Sequence, residues 1–173
     1  MKINYNLNKD DYVNFNIYHS QHSDSIKKNL KTQRFITPLI FFIFPFIAKV
    51  NTGISFFYWL SIFAVIYILW TIYYPKYYFH TVKKGVGRMI EEGKNHDLLG
   101  PKTIELREDD IFSSGENSES KVKWHSAERY IETDQYIFIY ISAMEAYIIP
   151  KRDFESEDQK ESFINILDSK IAN

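Results

Sequence analysis

The chain contains no cysteine among its 173 residues, which excludes disulfide scaffolds, Cys-ligated zinc, iron–sulfur clusters and thiol nucleophiles. A protein without thiols survives in either redox compartment, so this absence leaves the compartment open. Net charge is nearly absent too, with 21 Lys and Arg against 22 Asp and Glu. Disorder needs a large net charge and few aromatics, and here 17% of the residues are Phe, Trp or Tyr. The length allows about one compact domain, or one domain with an appendage, at roughly 100–200 residues per domain. A mean hydropathy of −0.31 reads as soluble, yet it averages over very unequal segments.

Charge is missing altogether from residues 50–75. Within that stretch, residues 54–74 (ISFFYWLSIFAVIYILWTIYY) would form a helix about 31 Å long at 1.5 Å per residue, which matches a bilayer core of roughly 30 Å. A buried soluble helix of this length carries a polar stripe, and Ser61 and Thr71 are nearly all that this one has. The preceding run, residues 35–48, is shorter and holds Pro38 and Pro45. It reaches spanning length when Thr32, Gln33 and Val50 extend it while Arg34 and Lys49 snorkel to the headgroups, and membrane helices tolerate such prolines. Asn51 and Gly53 are turn formers between the two runs. The expectation is a transmembrane helical hairpin over residues 35–75.

Basic residues set its orientation. Lys27, Lys28, Lys31 and Arg34 precede the first span, and Lys76, Lys83, Lys84 and Arg88 follow the second, whereas the connecting turn carries only Lys49. The positive-inside rule then puts both termini in the cytoplasm of a two-pass protein of the cell membrane. Trp70, Tyr73 and Tyr74 fall at the inner headgroup level and Trp59 near the outer one, as amphipathic rings do. The first apolar run begins too late for a cleavable signal peptide, and no small-residue cleavage site follows it.

The near-zero total charge is a cancellation. Residues 1–34 and residues 35–100 each hold six basic and three acidic side chains, whereas residues 101–173 hold nine and sixteen, a net −7. The basic segments are attracted to anionic lipid. The acidic segment is repelled by lipid and by nucleic acid alike, so its expected partner is a protein.

That acidic segment changes period. Short alternating runs at 103–106, 111–113, 121–124, 129–132, 136–142 and 146–149 are separated by turn clusters and predict an antiparallel sheet or barrel. After Pro150 a helix over 157–171, capped by Asp153 or Ser156, puts Phe163, Ile164, Leu167 and Ile171 on one face to close the sheet. At the other end Ile3, Tyr5 and Leu7 alternate, which suggests that residues 2–7 add a strand to the same sheet. Asn8 then caps a helix over 9–31, with Asp10 and Asp11 favouring its positive end. The expected organisation is a strand and amphipathic helix over 1–34, the hairpin over 35–75, a basic linker helix over 76–100 and a β domain with a C-terminal helix over 101–173. The fold class is an α+β membrane protein.

The order of these parts, with Lys123-Trp124, Tyr136–Tyr140 and the run Ala146-Tyr-Ile-Ile-Pro150-Lys151-Arg152-Asp-Phe154, resembles the YcxB-like family of small bacterial membrane proteins. Trp124 followed by Pro150, Lys151 and Phe154 is its most distinctive arrangement, and Ala127 stands where that family often has Ile. The resemblance implies a cytoplasmic domain similar to pleckstrin-homology-like folds and no enzymatic activity.

Patterns that carry chemistry are lacking. His19 and His22 have a spacing that can serve a metal, but no third ligand accompanies them. Gly85-Val86-Gly87 begins like a phosphate loop without its third glycine or acidic partner, and reads instead as a flexible point. His80 and His96 flank Glu91, Glu92 and Asp97 without a metalloprotease pattern. Glu108, Asp109 and Asp110 lack the alternate ligands and glycine of a calcium loop. Ser113, Ser114 and His125 permit a triad on paper, without a nucleophile elbow. The sequence therefore predicts no catalytic residue, no cofactor and no metal. Its first functional reading is a membrane-held, non-enzymatic interaction module with a protein partner; the second is self-protection of the membrane against a bacteriocin or delivered toxin.

Overall fold

The computed structural model describes residues 1–92 and 98–171. Two compact units emerge, one made of Met1–Asn16 with Gly85–Asn173 and the other of Ile17–Lys84.

In the first unit, β1 (Lys2–Leu7) alternates exposed and buried residues, with Ile3, Tyr5 and Leu7 turned inward. This period of two suits a strand with one face on the core. It pairs antiparallel with β2 (Gly100–Leu106), Lys2 opposite Glu105 and Leu7 opposite Gly100. The N-terminal strand thus joins the sheet expected from the C-terminal segment. Closing so long a loop is tolerable, because loop entropy grows only with the logarithm of length. β3 (Asp110–Ser114) and β4 (Glu119–Lys123) complete a sheet of order β1-β2-β3-β4. β5 (Arg129–Glu132), β6 (Tyr136–Tyr140) and β7 (Ala146–Pro150) form a second antiparallel sheet. Among the described residues neither sheet closes on itself, so the expected sheet or barrel is a pair of open sheets. The strand expected over 136–142 ends at Tyr140, where Ser142 Oγ accepts from the backbone N–H of Glu145 in a turn.

All five residues of β6 are buried. It reads as a continuous apolar run because both of its faces are covered. Phe15 packs against Phe138 and Tyr140, with ring centroids 5.3 and 6.0 Å away. Helix α5 (Glu157–Lys170) is capped by Ser156, whose Oγ accepts from Gln159 N–H at 3.1 Å. It buries Phe163 and Leu167 completely, and Ile171 follows them inward. Each such side chain contributes about 1.5–3 kcal/mol.

The helix expected over 9–31 is two helices, α1 (Lys9–His22) and α2 (Asp24–Lys31), because Ser23 adopts an extended conformation (φ −71°, ψ 122°). Serine competes for backbone hydrogen bonds and is a poor interior helix residue.

The second unit is a helical hairpin. From α2 the backbone widens into a π turn over Thr32–Ile36, tightens into a 3₁₀ turn over Thr37–Ile43 and returns to α geometry in α3 (Phe44–Thr52). Pro38 and Pro45 explain the irregularity, since each removes a backbone donor and its ring crowds the preceding turn. Gly53 ends α3 at φ 68°, a left-handed cap that favours glycine. α4 (Phe56–Glu92) runs through Pro75 without a break.

The prolines leave carbonyls without partners, and the opposite helix supplies them. In π register Gln33 C=O would accept from residue 38, a proline; instead it accepts from the Trp70 indole N–H at 3.3 Å. Thr71 C=O would accept from residue 75, also a proline, and takes Arg34 Nε–H at 2.8 Å. Tyr67 OH donates to Phe35 C=O at 3.1 Å. Bonds of this kind replace the donors that proline removes from a helix. Ring pairs Phe44–Phe63 at 5.8 Å and Phe46–Phe56 at 4.7 Å continue the contact toward the turn. There Trp59 Nε1–H donates to Thr52 Oγ at 3.2 Å.

Candidate functional site

The motif residues make structural contacts in the first unit. Trp124 is buried, and its indole N–H donates to Arg107 C=O at 3.0 Å. Ala127, close by, is buried as well, so the smaller side chain still packs inside. Pro150 ends β7 opposite Tyr136. Lys151 pairs with Glu132 at 2.5 Å, and Phe154 meets Phe163 edge-on at 5.4 Å.

Between Lys151 and Phe154 lies the residue that the sequence left unassigned. Arg152 grips Asp11 with both arms of its guanidinium, Nη1 to Oδ1 at 2.7 Å and Nη2 to Oδ2 at 2.6 Å. Asp11 is only 1% exposed and also accepts from Tyr136 OH at 3.0 Å and Asn8 N–H at 2.9 Å. Asn8 returns the bond, its Oδ1 accepting from Asp11 N–H at 3.0 Å, which makes a reciprocal cap of the α1 start. Burial alone would raise the Asp11 pKa, but the bonds from Arg152, Asn8 and Tyr136 together hold it below the ordinary carboxylate value. Tyr136 is raised, first by burial. A second stitch joins Asn6 N–H to Asp153 Oδ2 at 2.9 Å. Asp11 does sit at a helix N-terminus as expected, but its partner is 141 residues away. Nothing in the local spacing signals that pairing.

The basic residues expected at a membrane interface are on the surface. Lys27, Lys28 and Lys31 are exposed along α2, as are Lys76, Lys83, Lys84 and Arg88 along α4. Lys27 makes a loose ion pair with Asp24 at 3.8 Å. Arg34 is half-buried and turned to α4. Tyr73 is exposed, while Tyr74 rests on Trp70 with centroids 5.1 Å apart.

The acidic residues are also on the surface. Glu155, Glu157, Asp158, Glu161 and Asp168 are exposed on or beside α5. Asp110, like Asp11, is not. It is buried and pairs with Lys121 at 3.2 Å, whereas Glu108 and Asp109 stand exposed in the turn.

The remaining candidates separate. His19 is buried, and the His22 ring stacks on Tyr18 at 4.0 Å with Nδ1 2.8 Å from Tyr18 C=O. Among the described residues no three His, Asp or Glu side chains converge as metal ligands. His96 and Asp97 lie outside the described residues. Gly85 and Gly87 are helical, not a flexible point. A Cβ on Gly87 would stand 3.1 Å from Lys9 Cε, so this glycine lets Lys9 cross α4 and reach Glu91 at 2.6 Å. An open groove of about 670 Å³ runs past Asn4, Asn6, Lys102, Thr103, Ser114 and Asp153. Beside it Tyr5 is pushed up to about 12 by burial, against a hydrogen bond from Ser113.

The architecture defines an α+β protein with two open antiparallel sheets and two helices, Asp24–Thr52 and Phe56–Glu91, long and apolar enough to cross a membrane. The family of YcxB-like proteins matches residues 106–167, from the end of β2 into α5. The resemblance read from the sequence is to this same family, and Trp124, Pro150, Lys151 and Phe154 all fall inside the matched segment. No curated protein and no solved structure matches the chain.

Proposed function

We propose that the chain is a non-enzymatic interaction module anchored in a bacterial cell membrane by two spans, both termini cytoplasmic, whose acidic domain binds a basic protein partner. The outward-facing apolar surface of the hairpin carries the reading. The most apolar stretches of its two long helices are 11% and 0% buried, with Phe57 74% exposed and Ile36 60% exposed. Soluble proteins rarely expose contiguous apolar patches larger than a few hundred Å², and a core helix would be covered. The basic residues at both inner flanks support the orientation.

The unit built from the N-terminal strand and the chain that follows the hairpin has sheets of four and three antiparallel strands and a C-terminal helix, an arrangement that supports the pleckstrin-homology-like reading. Its net −7 over residues 101–173, nine basic against sixteen acidic, favours a cationic protein surface over phosphate or lipid. Binding is tested with the full chain in zwitterionic nanodiscs and a fluorescent basic helical peptide. Saturable binding is expected, weakened about tenfold by Glu157→Gln/Asp158→Gln/Glu161→Gln and by added salt that shortens the Debye length below about 8 Å. No binding, or binding indifferent to both changes, defeats the reading.

A further inference from the structure

Arg34 is held in an unusual way. Its Nε–H is committed to Thr71 C=O at 2.8 Å, the carbonyl that Pro75 deprives of its helical donor. That bond fixes the plane of the guanidinium and leaves its end-on fork, Nη1 and Nη2, without an acceptor among the described residues. The guanidinium carbon lies 4.9 Å from the centroid of the Phe35 ring. Phe35 in turn lines a groove of about 400 Å³ with Lys27, Lys28, Lys31, Thr32 and Ile36. Asp24 is the groove's one acid, fully exposed and paired only loosely with Lys27. Lys28 and Lys31 have no ion-pair partner among the described residues.

Two chemistries therefore meet along one helix face. Ammonium groups line the α2 part of the groove, and the exposed rims of Phe35 and Ile36, 38% and 60% accessible, line the part that enters the apolar run. A ligand that fits carries an anionic, bidentate oxygen group joined to a hydrocarbon chain. The planar fork of arginine matches two oxygens of one phosphate, and basic residues next to a span attract anionic lipid. We infer that Arg34, Lys28 and Lys31 form a site for the phosphate of an anionic phospholipid, with Phe35 and Ile36 against its acyl chain. Arg34 would then have two tasks, mending the helix break at Pro75 with Nε and binding phosphate with Nη1 and Nη2.

This site rests on the membrane reading, and one experiment separates their failures. The full chain carrying Trp59→Phe is reconstituted in phosphatidylcholine vesicles, so that Trp70 is the tryptophan within the spans, and its fluorescence is quenched with brominated phosphatidylglycerol or brominated phosphatidylcholine at equal fraction. Phosphatidylglycerol should be preferred by about fivefold or more, the effect of roughly one cation near the surface. Arg34→Gln should bring the preference within twofold. So should Lys28→Gln/Lys31→Gln, whose side chains are exposed and do not support the fold. Equal quenching by the two lipids overturns the site while leaving insertion intact; no quenching by either overturns both. Ten-millimolar-scale inorganic phosphate, matched with sodium chloride, should leave the preference unchanged, and competition beyond the chloride control assigns the groove to free phosphate instead.

Discussion

Replacing Arg152 by methionine removes both guanidinium bonds from Asp11 and leaves a carboxylate that is 1% exposed with only Tyr136 OH and Asn8 N–H as donors. Breaking a buried pair from one side costs about 3–5 kcal/mol. The Arg152 side chain is 47% exposed, so solvent already screens part of the pair and about 2–3 kcal/mol is the better figure. The loss should be local. Asn6 C=O accepts from Arg152 Nη2 at 3.1 Å, so β1 is the element released. Hydrogen exchange on the full chain in micelles should show the β1 and β2 amides losing about 30- to 150-fold in protection, at 1.4 kcal/mol per factor of ten.

The pairwise part follows from a cycle with Asp11→Asn. The double variant should be less destabilised than the sum of the singles by about 1.5 kcal/mol or more, whereas contacts that do not interact add within roughly 0.5 kcal/mol. The pH dependence gives an independent check. Unfolded Asp11 takes up its proton near 3.8, and the folded carboxyl is held below that value. Its stabilisation is therefore whole above about pH 4 and is lost as the pH falls through the lower folded value. In Arg152→Met burial prevails and the folded carboxyl pKa rises, so the acid loss attributable to Asp11 shrinks or reverses. An additive cycle, or unchanged β1 exchange, would refute the view that this pair locks the N-terminal strand.

Other outcomes follow from the same contacts. Pro75→Ala supplies the missing N–H to Thr71 C=O, so Arg34→Gln, expected to lower hairpin stability by about 1–3 kcal/mol alone, should become nearly neutral in that background; equal penalties in thermal scans would show that Arg34 does not serve the orphaned carbonyl. Because the chain has no cysteine, a single Asn51→Cys should react with an impermeant maleimide on intact cells, and Ser118→Cys only after permeabilisation; the reverse pattern inverts the topology. Trp124→Phe keeps the buried ring but leaves Arg107 C=O without its donor, and should cost about 1–3 kcal/mol in denaturant unfolding. A loss below the error of the titration would remove that hydrogen bond from the account.

Legibility in the sequence depended on range. Period and capping are local, so β1, β3 and β5 to β7 were readable within a residue or two, as was α5 with its Ser156 cap. Two long apolar helices were readable as well, because a bilayer-length run without charge is a one-dimensional signal, although the second continues through Pro75 to Glu92 where the sequence suggested a separate linker helix. Expectation and structure part both at local turns and at long-range contacts. The β6 strand stops at Tyr140 because Ser142 turns the chain toward Glu145. The supposed flexible point at Gly85 and Gly87 is helical, with Gly87 leaving room for Lys9, a neighbour 78 positions away in sequence.

By itself the sequence determined segregation: apolar runs, basic flanks and an acidic domain, since each is a sum over neighbouring residues. Only the tertiary structure decided which polar groups meet. Asp11 with Arg152, Arg34 with the Thr71 carbonyl and Trp70 with the Gln33 carbonyl are pairs joined across 141, 37 and 37 positions. A carboxylate read as a helix-end charge became the partner of Arg152. Arg34, expected to reach for headgroups, also donates its Nε–H to a carbonyl that proline leaves without its helical donor. The physical reason is the same in both cases: a polar group withdrawn from water must find a partner, and the fold determines which one lies within reach.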